Sequence, residues 1–129
     1  MAARAPFRHA AAAAMLALAA APAPAHHSFG MFDMQKTIAI QGTVRDFQWQ
    51  NPHVWIDLVA AAPGAQPPQP WSIEADAVAI MKRKGWTRDS LKPGDKVTIV
   101  LHPLKTGDVG GSLVSAVLNG QPIGRADMH

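Results

Sequence analysis

The feature that most constrains this chain is a change of phase inside one apolar alternation. Ile38, Ile40 and Val44 share one face of an extended segment, with Gly42 between them, but the next apolar residues are Phe47 and Trp49. Side chains of a strand alternate with a period of two, so an even-to-odd shift does not fit a regular strand. It takes one extra residue, a β-bulge, or a sharp bend. Residues 37–49 therefore read as one long strand that leaves one sheet and enters another.

Turn chemistry then sets the other elements. "QNPH" at 50–53 ends the first strand, with Asn51 as turn initiator and Pro52 fixing its own φ. Residues 53–60 resume alternation, with Val54, Ile56 and Leu58 on one face and His53, Trp55 and Asp57 on the other. "AAPGAQPPQP" at 61–70 has four prolines and a glycine, which predicts a long exposed hairpin loop. Residues 71–75 give a third strand, opened by Trp71. Residues 76–84 read as a helix, with Asp76 as N-cap and Gly85 at C′. Trp86 is then placed to pack back on Met81. Lys82, Arg83 and Lys84 fall in the last turn, where the helix dipole favours cations. The Pro93–Gly94 turn leads to a fourth strand with Val97, Ile99 and Leu101 inward and His102 outward, and 112–118 form a fifth.

The order β-β-β-α-β-β predicts a mainly β fold, an OB-like five-stranded barrel with one helix between strands 3 and 4. A small open sandwich is the alternative.

The beginning of the chain reads as an address. Residues 1–8 carry two arginines and no acid, 9–20 are a short alanine-rich apolar run, and "APA" at 23–25 is the small-x-small pattern of a cleavage site. The expected organisation is a cleaved signal peptide at 1–25, an N-terminal arm at 26–36, the barrel at 37–119 and a flexible tail at 120–129. The apolar run is too short for a permanent membrane anchor, so a periplasmic or secreted protein is expected. Removing Arg4 and Arg8 leaves ten Lys/Arg against nine Asp/Glu, and no basic patch that would suggest nucleic acid. There is no cysteine, so disulfides and thiolate ligands are excluded.

"HHSF", "GTVRDFQWQNPHVWIDL" and "GWTRDSLKPGDKVTI" together resemble a family of small exported bacterial proteins catalogued as a domain of unknown function. The resemblance covers essentially the whole mature chain. It rests on His26, His27, Ser28 and Phe29, on Gly42, Phe47, Trp49, Asn51, Pro52, His53 and Trp55, and on Gly85, Trp86, Ser90, Pro93, Gly94 and Asp95. It implies export and a small β-rich domain, and supplies no reaction or ligand.

The chemistry is therefore read from the residues. Cleavage after Ala25 would expose His26, whose α-amine and imidazole Nδ1 can chelate one ion together. An α-amine pKa near ~8 makes its deprotonation at neutral pH inexpensive. Nitrogen-rich, square-planar sets suit Cu(II), which heads the divalent affinity order. His27 adds an imidazole. The expected metal set is His26, His27 and His102, with His53 as the alternative to His102. Alternation puts both of the latter outside the barrel, but at opposite ends of the first strand. The arm can extend roughly 35 Å, which keeps His53 in reach. Met31, Asp33 and Met34 also lie in the arm; thioethers favour Cu(I), and packing of the methionines on the barrel is the other reading.

The rival function is a metal-free interaction module that binds a protein or glycan through the barrel face around Trp55, His53 and Asp57. Catalysis finds little in the sequence. Ser28 has no nucleophile turn, and no glycine-rich loop precedes the helix. An oxidative copper enzyme would need a broader substrate face than so small a domain offers. The sequence thus leans against an enzyme and towards a binding protein, with copper as the candidate cofactor and an unknown protein or small ligand as partner.

Overall fold

The computed structural model describes residues 29–61, 64 and 67–125. Six strands and one helix follow a single 3-10 turn at Phe29–Met31. They are β1 (Ile38–Gln48), β2 (Trp55–Ala61), β3 (Gln69–Glu74), α1 (Val78–Arg83), β4 (Lys96–Pro103), β5 (Gly111–Leu118) and β6 (Gln121–Pro122). The sheet order is β3-β2-β1-β4-β5-β6, and a further parallel pairing of β3 with β5 closes it into a barrel. This is the OB-like, mainly β architecture expected from the element order.

The phase change in β1 is a bulge. Its register on β2 shifts between Val44 and Asp46, so Arg45 is the extra residue. Residues 38–43 pair with β4 and 41–48 with β2, so the strand serves both halves of the curl. Gly42 sits where both ladders overlap, and a Cβ there would run into Val59 O and the Cβ of Ala60. The Pro93–Gly94 turn is strapped to the same bend, with Val44 N donating to Asp95 O and Gly94 N donating to Val44 O, both at 2.8 Å.

Inward residues from every barrel strand meet in one core. Ile40, Val44, Ile56, Leu58, Ile73, Ile99 and Leu101 are at most 1 % exposed, and each buried side chain of this kind contributes roughly 2 kcal/mol. Trp71 also points inward, and its Nε1 finds no acceptor among the described residues.

The helix is shorter than expected and is capped differently. Six residues are too few to hold themselves helical. Met81, 1 % exposed, plugs it into the core. Its C-terminus closes as predicted: Gly85 takes φ +86°, Trp86 N donates to Met81 O and Gly85 N to Lys82 O. Its N-terminus does not. Ala77 is the N-cap and offers no side-chain acceptor, because the chain stays extended one residue past Asp76. Asn51, from the turn before β2, accepts Val78 N at 3.0 Å instead. Asp76 pairs with Lys84 at 2.7 Å.

The segment read as a loose tail is built into the fold as far as Arg125. Gln121–Pro122 pairs with β5, Ile123 N donates to Ala116 O, and Arg125 N donates to Lys84 O at the helix end. Residues 126–129, the segment read as a signal peptide, and His26 and His27 lie outside the described residues. Among the described residues no helix is long and apolar enough to cross a membrane.

Candidate functional site

The barrel closure places one row of residues on the outer wall. His102 lies opposite Ser112, Ser112 opposite Glu74, and Glu74 opposite Trp55. Directly paired residues share a face, and the adjacent Leu101, Ile73 and Ile56 all point inward, so this row points outward. It crosses three strand spacings, about 15 Å. The antiparallel order of β2 and β4 on β1 set His53 and His102 apart at opposite ends of that strand. The β3–β5 pairing supplies a shorter route around the other side.

His53 stands two residues before Trp55 and reaches back to this row. Its Nδ1 donates to Oε1 of Glu74, whose side chain is 11 % exposed against 27 % for the imidazole. Glu74 is the buried charged residue of the described structure. The two residues border a cavity of about 90 Å3, together with Phe32, Asp76, Lys84 and Trp86. Of the cavity's ionic groups, Lys84 pairs with Asp76 and Glu74 accepts from the His53 ring.

His102 is held differently. Its Nδ1 lies 2.7 Å from the carbonyl oxygen of Lys36, at the base of the N-terminal arm. A carbonyl only accepts, so Nδ1 carries the hydrogen. Both imidazoles thus have Nδ1–H bound to an oxygen, and in the neutral ring the lone pair is on Nε2. Histidines that ligate metals are commonly oriented in this way, by an oxygen acceptor on the far nitrogen. Nδ1 is thereby engaged in both rings. Among the described residues no group of three or more His, Cys, Asp or Glu is arranged to hold an ion.

The arm comes to this region. Phe32 is 6 % exposed, lines the cavity beside His53 and bridges to Leu104. Asp33 N donates to Pro103 O at 2.8 Å and Lys105 N to Met31 O at 3.0 Å. The described end of the arm is therefore docked against residues 103–105.

Trp55, His53 and Asp57 share a face, but their surroundings differ. Trp55 is half-buried in the outer row. Asp57 accepts Gln48 Nε2 at 2.8 Å and the hydroxyl of Ser72, tying β1, β2 and β3 together. It borders an open depression of about 430 Å3 with Arg45, Trp71 and Val109, in which neither Trp55 nor His53 takes part. Asp57 and Glu74 do not form an acid pair, since they sit opposite Ser72 and Trp55 respectively. The roles of Glu74 as partner of His53, and of the Lys36 carbonyl as partner of His102, left no mark in the sequence. A glutamate ending an apolar strand was the nearest signal to the first; a main-chain acceptor leaves none.

The chain belongs to a family whose function is not known: the model described as "Family of unknown function (DUF6152)" matches residues 12–113. No curated protein matches it. Among solved structures it is similar to the mitochondrial single-stranded DNA-binding protein Rim1 of S. cerevisiae. One crystal structure of that protein has 9 % identity and a TM-score of 0.45, covering 67 % of this chain and 95 % of the yeast chain. A second, from selenomethionine-labelled protein, has 12 % identity and a TM-score of 0.43, covering 67 % and 96 %. The barrel assignment stands on the strand order itself.

Proposed function

We propose that this member of the family is an exported Cu(II)-binding carrier or accessory protein whose ligands are the amine and imidazole of His26, the imidazole of His27 and one outward imidazole, His102 or His53. The observation that carries the reading is the matched preparation of those two rings. Each has Nδ1 tied to an oxygen, and the arm is docked beside both. Phe32 follows His27 by five residues, and five residues span at most about 18 Å. The row from His102 to Trp55 is about 15 Å long, so either imidazole falls within reach of the arm's histidines.

Such a site would exist only after the signal is removed, which confines loading to the exported compartment. The domain would hold the metal without transforming a substrate.

The test is a Cu(II) titration by calorimetry and EPR. It compares protein beginning at His26 with the same protein carrying one additional N-terminal glycine. One-to-one binding with nitrogen-rich EPR parameters, lost on adding glycine, is the expected result. His53→Ala and His102→Ala then identify the remaining ligand. Equal binding by both forms overturns an amine-dependent site.

A further inference from the structure

We infer that Met31, Met34 and His102 form a second, soft-donor site for Cu(I), on the outer side of the docked arm. The inference rests on the proposed function only for the identity of the metal.

The arm's burial is the starting point. Phe32 does the packing, at 6 % exposed. Met31 and Met34 flank it, and each is 48 % exposed; among large hydrophobic residues described, only Val109 accompanies them at the surface. The methionines therefore do not pin the arm to the barrel. Met81, by contrast, is at 1 % and fills the core. In a chain without cysteine, thioethers are the available soft sulfur donors, and two of them are turned to solvent within four residues of sequence.

The backbone holds this pair near an imidazole. Residues 31–36 run against 102–105 through Lys105 N to Met31 O, the Phe32–Leu104 bridge and Asp33 N to Pro103 O. Lys36 N then donates to Asp33 O at 3.1 Å, folding the intervening residues, Met34 among them, into a tight turn. Lys36 O, at the end of that turn, receives His102 Nδ1. The lone pair of the neutral His102 ring is thus on Nε2, at the base of the segment that carries both thioethers.

The donor set also selects the ion. Two thioethers and one imidazole are neutral and soft, which suits a monovalent d10 ion in low coordination and suits hard divalent ions poorly. The carboxylate of the same turn, Asp33, is engaged by Lys36 at 3.3 Å and by Gln35 N at 3.2 Å. Giving His102 to this set leaves His53, oriented by Glu74, as the imidazole for the Cu(II) set.

The experiment uses Ag(I), which is soft, monovalent and inert to redox cycling, on protein beginning at His26 and carrying 13C-methyl methionine. Calorimetry gives the affinity and a 1H–13C spectrum identifies the ligands. The ε-methyl signals of Met31 and Met34 are expected to shift together up to one equivalent, while that of Met81 stays in place. The double variant M31L/M34L should lose more than about tenfold in Ag(I) affinity. Its melting temperature and its Cu(II) titration should be unchanged, since both side chains are exposed and outside the nitrogen set. His102→Ala should lower Ag(I) affinity in the same way, and an added N-terminal glycine should not. Unmoved methyl signals, or undiminished Ag(I) binding by M31L/M34L, would sink the soft-donor site whatever the Cu(II) titration gives. If the glycine extension leaves Cu(II) binding intact while Ag(I) still shifts both methyls, the nitrogen site fails and the thioether site stands.

Discussion

Around His53 side-chain bonds join main-chain ones, since Val54 N donates to Asp76 O and Ala75 N to Val54 O. Asn51 accepts Val78 N, Glu74 accepts the imidazole, and Lys84 holds Asp76. Around His102 they run mostly along the main chain, with Asp33 N on Pro103 O, Lys105 N on Met31 O, and the imidazole itself on a carbonyl. The first region depends on which residues are present, because each substitution removes a named partner. The second depends on where the backbone lies, and most side chains there can change without breaking a bond. Two outward histidines of one barrel are thus held by different acceptors, one a side-chain carboxylate and the other a main-chain carbonyl.

The largest expected effect of a substitution falls on the first region. Glu74→Ala removes the acceptor of a half-buried imidazole and should cost about 2 kcal/mol in urea unfolding. Glu74→Gln keeps an acceptor oxygen and should recover much of that loss; if it costs as much as alanine, charge rather than the hydrogen bond holds His53. Asn51→Ala comes next. It leaves Val78 N without its cap and should cost about 1 kcal/mol, read from the same denaturation curves. Asp33→Ala is the smallest. Its side chain engages only an exposed lysine and a neighbouring N–H, while the main-chain bond to Pro103 survives, so the change should stay below about 0.5 kcal/mol. An Asp33→Ala loss as large as that of Glu74→Ala would end the distinction between the two regions.

The sequence made the barrel legible where a residue type has one physical use. The move from Val44 to Phe47 called for a bulge or a sharp bend, and a bulge at Arg45 is there. Gly85 required a left-handed residue after the helix, and it has one. What escaped depends on register or on main-chain atoms. Asp76 is a good N-cap by type, but the helix begins one residue too late for it. Gln121–Pro122 is too short and too proline-bound to show alternation, yet it pairs with β5. The distances between the candidate residues were illegible. The pairing that brings the row from His102 to Trp55 together involves two residues on each strand, and two residues have no period.

That closure has a consequence beyond positioning histidines. Without Ile73 against Gly111 and Glu74 against Ser112, the sheet would be an open ribbon. The facing edges of β3 and β5 would then show unpaired donors and acceptors to any neighbouring chain. Such edges recruit strands from other molecules and start aggregates. Joining the ribbon to itself along two pairs turns part of those edges inward on one another. A short parallel contact thereby acts as protection against misassembly.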